Sequence, residues 1–399
     1  MSVVARDKVK QVETLKVSPS QKAALYHRVV VKLGTSLLTG GTGHLDPRVI
    51  AGLVAQVVQL HQQGLEIILV SSGAIAAGRY KLGLTKERKD IPFRQVLAAV
   101  GQSSLMHTYE ELFDRHGITV AQALLTRLEM SDRAGYLNAR NTLLALLDLR
   151  VVPIVNENDV VATDEIKEAK FGDNDNLSAM VANLVDAELL ILLGDVAGLY
   201  TSDPHLDPQA KLVPRVEKID AYIEHLAVST ESPQGTGGME TKIEAARLAT
   251  NSGVTVIIAD GREPEVIPRL VQGEPIGTLF PPVTTRLESR KRWMVSGLAC
   301  RGKVIIDEGA AAALKKGKGS LLPAGVKEVG KEFHRGDVIE VVDLQGNRIA
   351  CGISNYSSSD ITIIKGVHSE EIMSLLGYEY GAEVIHRNNL VMLSTLEKP

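Results

Sequence analysis

The chain has 399 residues, with 44 Lys+Arg against 48 Asp+Glu for a net charge of −4, and is 44% hydrophobic and 23% charged. That is a globular composition too long for one core, so two domains are expected, and the near-neutral charge excludes wholesale coating of nucleic acid. Two cysteines, Cys300 and Cys351, without a CxxC pair exclude a disulfide framework or structural zinc, and the longest apolar runs are too short to cross a bilayer, so a cytoplasmic protein is expected.

Residues 1–26 carry scattered Lys and Glu with no apolar h-region, and read as a flexible N-terminal extension rather than a signal peptide. The segment Arg28-Val-Val-Val-Lys-Leu-Gly34 is a buried strand that delivers Lys32 to the rim of a sheet. Asp46-Pro47 opens a helix with apolar residues at Ile50, Leu53, Val54, Val57, Val58 and Leu60, and Gly64 stops it. A second strand, Glu66–Val70, runs into Ser71-Ser-Gly-Ala-Ile-Ala-Ala-Gly78. Helical patterns follow at 94–115 and 134–148, then a strand at Val151–Val155, a helix at 176–185 and a strand at Leu189–Leu193. Residues 241–251 read as helix and Thr255–Ala259 as strand. Strands alternating with helices predict an α/β domain over 27–282, an open, mainly parallel sheet sandwiched by helices.

The pattern shifts after Gly277. Phe280-Pro-Pro282 breaks the chain and 283–292 reads as a linker with a basic run, Arg286-Leu-Glu-Ser-Arg-Lys-Arg292. Short strands at Lys303–Asp307, Val338–Val342 and Asp360–Ile364, with a helix near 308–316, predict a small β-rich module over 293–383, and 384–399 form a C-terminal segment.

Open parallel sheets bind ligands at the carboxyl ends of their strands. Here those ends carry Lys32-Leu-Gly-Thr-Ser36, Ser71-Ser-Gly-Ala74, Asn156-Glu-Asn-Asp159, Gly172-Asp-Asn-Asp-Asn176 and Gly194-Asp195, while Gly235-Thr-Gly-Gly-Met-Glu-Thr-Lys242 precedes a helix. Ser72-Gly73 and Gly235–Gly238 offer backbone N–H groups and a helix N-terminus to an anion, although any one such glycine loop is more often a plain βα turn. Neither is a Walker A loop or GxGxxG. Lys32 and Lys242 are compact cations suited to phosphate oxygens. Asn156, Asn158, Asp159, Asp173, Asn174, Asp175 and Asn176 could hold an ammonium group, orient a carboxylate, or help organise Mg²⁺; as a class, such residues are also common turn formers. The ten histidines show no HxxxH pairing and no GxSxG elbow occurs.

In this order the five motifs Val31–Ser36, Ser71–Gly78, Asn156–Asp159, Gly172–Ser178 and Gly235–Lys242 resemble the signature set of the glutamate 5-kinases, within the amino acid kinase family. Residues 293–383, with Gly319–Gly325 and Phe333-His-Arg-Gly-Asp337, resemble a PUA domain. The resemblance spans 28–383 and implies ATP-dependent phosphorylation of L-glutamate to L-glutamyl 5-phosphate with Mg²⁺, the first step of proline biosynthesis. It implies that Lys32 and Lys242 contact the ATP phosphates and that Asp175 orients both. Ser72, Asp159 and Asn174 would bind glutamate, helped by Asn156, Asp173 and Gly73. Gly194 and Asp195, with Thr236, Gly237, Gly238, Met239, Glu240, Thr241 and Lys242, would line the nucleotide site. The family usually has Thr where this chain has Gly194, which removes one hydroxyl contact to the nucleotide. The family further implies a homo-oligomer, dimer or tetramer, and feedback inhibition by L-proline at the glutamate pocket. Two other readings stand beside it. One is a related kinase acting on N-acetylglutamate, aspartate or UMP; the Asn156–Asp159 and Gly172–Asn176 pair favours free glutamate, because Asp159 offers a partner for a substrate ammonium that N-acetylglutamate lacks. The other is an RNA-binding accessory, for which residues 293–383 hold few stacking aromatics, so RNA binding is not expected to be the main role.

Overall fold

In the computed structural model the described residues are 25–84, 90–162, 174–204, 206–228, 238–285, 300–316 and 319–393. They build two sheets, one of seven strands ordered β3-β4-β2-β1-β5-β6-β7 and one of five ordered β12-β11-β10-β8-β9.

The larger sheet is organised around β1 (Arg28–Leu33), which pairs in parallel with β2 (Glu66–Ser71) and, on its other side, with β5 (Leu189–Gly194). β3 (Val120–Leu125), β4 (Val152–Glu157) and β6 (Thr255–Asp260) are also parallel, while β7 (Thr278–Phe280) is antiparallel to β6. The period-2 alternation of β1 divides its side chains between two cores. Val29, Val31 and Leu33 pack with helices Pro47–Gln62 and Ile91–Asp114; Val30 packs on the opposite face with helices Arg133–Asp148, Asn174–Leu184 and Met239–Thr250. Each fully buried valine contributes about 1.5–3 kcal/mol of transfer free energy. Lys32 shares the parity of Val30, so the alternation that builds the core also aims the lysine at the N-terminal ends of helices Asn174–Leu184 and Met239–Thr250.

Local signals explain the element ends. The Asp46 side chain caps helix Pro47–Gln62 by accepting from Arg48 N, with Pro47 in its first turn, and Gly64 follows at φ +94°. Helices Ala74–Lys81 and Ile91–Asp114 meet closely at two glycines. A Cβ at Gly101 would lie 1.8 Å from the Ala74 carbonyl oxygen, and one at Gly78 would lie 1.9 Å from that of Leu97. Only glycine permits this approach, which fixes the long helix over the end of β2.

The smaller sheet comprises β8 (Gly302–Ile306), β9 (Val326–Gly330), β10 (Val338–Val342), β11 (Arg348–Ile353) and β12 (Leu390–Met392). It encloses its own core of Val304, Ile339, Val341, Tyr356 and neighbours. It docks on helix Arg133–Asp148: Leu137 packs with Val338, Cys351, Ile353 and Val391, and Arg133 pairs with Asp337 at 2.7 Å. Buried Arg140 donates to the Leu184 carbonyl at the end of helix Asn174–Leu184, to Asp186 at 2.6 Å, and across the interface to Asn389 Oδ1 at 2.8 Å and Asn388 O at 3.2 Å.

Two expectations change. Asp360–Ile364 is not a strand: Ser358–Ile364 is a helix, opened by a reciprocal capping box between Ser357 and Asp360, with Ile361 and Ile364 buried one turn apart. Val120–Leu125, unassigned in the sequence reading, is the edge strand β3. The expected linker and its basic run, 286–292, lie outside the described residues.

Candidate active site

The carboxyl ends of β1, β2, β4 and β5 converge with the N-termini of two helices. Lys32, Asp175 and Lys242 meet there although each is almost fully buried. Lys32 Nζ lies 2.5 Å from Asp175 Oδ1, Lys242 Nζ lies 3.3 Å from Asp175 Oδ2, and Thr241 Oγ1 donates to the same Oδ2 at 2.8 Å. Burial works against ionising Asp175, but the ammonium groups of Lys242 and Lys32 and the hydrogen bonds from Lys32 and Thr241 outweigh it. They hold the carboxyl well below the usual carboxylate range. Among the described residues, two ammonium groups thus converge on one carboxylate at the ends of β1 and β5.

Beside it, at the ends of β2 and β4, lies a network of neutral groups. Asn174 Nδ2 donates to Ser71 O at 3.1 Å, Ser72 Oγ at 2.9 Å and Asn156 Oδ1 at 3.0 Å. Asn156 Oδ1 also accepts from Glu157 N at 2.9 Å, and its Nδ2 donates to Gln102 Oε1 at 2.7 Å. Ser71 Oγ is 2.8 Å from Tyr109 Oη; burial, only partly offset by that bond, pushes the Tyr109 hydroxyl pKa far up. Gly73 sits at φ +99° as the N-cap of helix Ala74–Lys81, without a side-chain cap.

Of the other expected residues, Gly194 ends β5 directly against Lys242: a Cβ there would lie 3.5 Å from Lys242 Cε. Asp195 is exposed, and its carbonyl accepts from Arg262 at 2.7 Å. Gly238 is the N-cap of helix Met239–Thr250 and has no side chain to cap it; Met239 and Thr241 are buried and Glu240 exposed. Asn158 and Asp159 are partly buried just beyond β4, and Asn176 is buried in the first turn of helix Asn174–Leu184. Asp173, Thr236 and Gly237 lie outside the described residues. Gln102 and Tyr109 belong to the network but not to the sequence motifs. The one local hint is Gly101, a poor helix former in mid-helix, which marks a close approach.

The Amino acid kinase family model matches residues 27–260, and the PUA domain model matches 302–376. A glutamate 5-kinase of Dehalococcoides mccartyi (strain CBDB1) is 58% identical over 368 residues, 92% of this chain and 99% of its own. The chain belongs to the glutamate 5-kinase family. The glutamate 5-kinases of Herpetosiphon aurantiacus and Proteus mirabilis are 50% and 48% identical, over 92% and 91% of this chain and 98% of each of theirs. The PUA match takes in β8 to β11 of the five-stranded sheet and ends before β12.

Proposed function

We propose that the protein transfers the γ-phosphoryl group of ATP to the side-chain carboxylate of L-glutamate, giving L-glutamyl 5-phosphate and ADP and opening proline biosynthesis. The observation that carries this reading is the buried Lys32–Asp175–Lys242 cluster standing directly beside the Asn174–Ser72–Asn156 network. One half supplies cations for phosphoryl oxygens; the other supplies directional partners for an amino acid.

The nucleophile is a carboxylate with an ordinary pKa near ~4.3, already ionised at neutral pH, so no general base is required. The obstacle is to bring two anions together and to stabilise the charge spread over the transferring phosphoryl group. Lys32 and Lys242 do this from fixed positions, because Asp175 holds both ammonium groups and Thr241 holds Asp175. The N-terminus of helix Met239–Thr250 adds N–H donors on the nucleotide side, with Gly194 and Asp195 at its edge. Ser72, Asn174, Asn156, Asp159 and Gly73 hold glutamate, with Asp173 as a further contact, and L-proline would compete there.

Among the described residues no group of three or more His, Cys, Asp or Glu stands ready to hold a metal. Asp175 is already committed to Lys32, Lys242 and Thr241, so Mg²⁺ enters with the nucleotide phosphates as part of the substrate. We further take 27–282 as the kinase domain and 293–383 as the body of the PUA domain, to whose sheet β12 adds a strand, in a cytoplasmic homo-oligomer.

The test is hydroxamate formation with hydroxylamine, which traps an acyl phosphate, offering ATP·Mg²⁺ with L-glutamate, L-aspartate or N-acetyl-L-glutamate. Signal with L-glutamate alone is expected. Signal only with another acid would overturn the substrate, and none with any of them would overturn the reaction.

A further inference from the structure

The neutral end of the site contains two buried polar atoms without partners, and their chemistry is complementary. Among the described residues, Gln102 Nε2 has no acceptor and Asn174 Oδ1 has no donor. Their orientations are forced by main-chain groups that can each play one role only. The Ser71 carbonyl can only accept, so Asn174 must turn its NH₂ toward it and its Oδ1 away. The Glu157 N–H can only donate, so Asn156 must turn its Oδ1 toward it and its NH₂ toward Gln102. Gln102 then presents Oε1 to Asn156 and must aim its own NH₂ elsewhere. The relay leaves one donor and one acceptor open, which is the pattern of an α-amino acid zwitterion: a carboxylate for the donor, an ammonium for the acceptor.

The sheet provides the ruler. Asn156 lies on β4 and Lys32 on β1, with β2 between them. At about 4.8 Å per strand the two are roughly 10 Å apart, and Gln102 binds the Asn156 group that faces away from Asn174. The carboxylate nearest Gln102 is therefore the one remote from the lysines. Helix Ile91–Asp114 is also rigidly seated, by the Gly101–Ala74 approach and by the Tyr109–Ser71 bond two turns further on.

We propose that Gln102 is a specificity-determining residue that donates Nε2–H to the α-carboxylate of the acceptor amino acid. The inference rests on the glutamate reading above. It is tested with L-glutamate and its α-amide, L-isoglutamine, in the hydroxamate assay with the wild-type protein, Gln102→Ala and Gln102→Glu. Gln102→Glu keeps an oxygen for Asn156 Nδ2 and replaces only the donor, with a charge that repels a carboxylate. The expected result is a KM for L-glutamate raised about 10- to 100-fold in Gln102→Ala and further in Gln102→Glu, as for loss of a hydrogen bond to a charged group. KM for ATP should stay unchanged, and the preference for L-glutamate over its α-amide should shrink in both variants. A support for Asn156 alone predicts the opposite order, with Gln102→Glu the milder variant and both substrates weakened equally; that outcome, or unchanged KM values, would overturn the proposal. Wild-type protein inactive on L-glutamate would instead overturn the reading beneath it.

Discussion

The two halves of the candidate site are built on different physics. At the end of β1, two lysines and an aspartate are held by charge in a dry setting; at the ends of β2 and β4, amides and hydroxyls are held by directional hydrogen bonds with no formal charge. Coulomb attraction falls slowly with distance, so the charged half tolerates small displacements but not the loss of a charge. Hydrogen bonds weaken steeply with angle, so the neutral half tolerates little reorientation, and its amides and hydroxyls contribute nothing that depends on their own ionisation. Substitutions should separate the halves: charge changes at one end act on turnover, and shape or donor changes at the other act on amino acid affinity.

Asp175→Asn should have the largest effect. It leaves Lys32 and Lys242 close together and buried without their anion, a class of change that costs about 3–5 kcal/mol, and kcat should fall on the order of 10²-fold or more with the lysines displaced. Denaturant unfolding and single-substrate kinetics measure the two effects. The same residue sets a pH dependence. Its folded pKa is depressed below the ordinary 3.8, so the unfolded chain binds the proton more readily. The stabilisation is complete above that ordinary value and is lost as pH falls through it toward the folded value. Unfolding free energy measured downward from pH 5 should therefore fall more steeply in wild type than in Asp175→Asn; parallel slopes would show that Asp175 does not carry the acid sensitivity.

Lys32→Ala and Lys242→Ala come next, each lowering kcat about 10²-fold or more while leaving KM for L-glutamate within a few-fold. A change confined to glutamate KM would place that lysine in the wrong half. Asn174→Ala removes the amide that joins Ser71, Ser72 and Asn156; glutamate KM should rise on the order of 10-fold or more while KM for ATP stays near wild type. The smallest effect is expected of Gly194→Thr. The new Cβ would meet Lys242 Cε at ordinary contact distance, so stability should fall by no more than about 1 kcal/mol, the centre of the range for single substitutions. The restored hydroxyl should lower KM for ATP modestly; a melting temperature lower by several degrees would show that β5 has no room for it.

Much of the architecture was readable because it is written locally. Three consecutive valines announce β1, and helix ends marked by Asp46-Pro47 and Gly64 fall within a residue or two of the structure. Lys32 and Lys242 stand out because a charged residue at the end of an apolar strand or after a glycine loop breaks the local pattern. What was missed is settled by distant partners. β3 is Val-Ala-Gln-Ala-Leu-Leu, with one β-branched residue, and becomes a strand by pairing with β4. Ser358–Ile364 was misread because a short apolar run fits either period, and the Ser357–Asp360 capping box decides for helix. Gln102 looks like any polar residue on a long helix; its importance comes from Asn156, 54 positions further on. The role of Asp175 came from family likeness, since nothing local says that two lysines will close on it.

Arg140 ties the order of synthesis to the completion of the kinase half. Its guanidinium is buried, yet two of its partners, Asn388 and Asn389, belong to the far end of the chain. Asn389 is 249 residues downstream of Arg140, so at about 5–20 residues per second a ribosome needs roughly 12–50 s to supply it. Until Asn388 and Asn389 arrive, the face they cover stays open over Arg140, with Leu137 uncovered beside it. A late stretch of the chain thus closes over a residue made early.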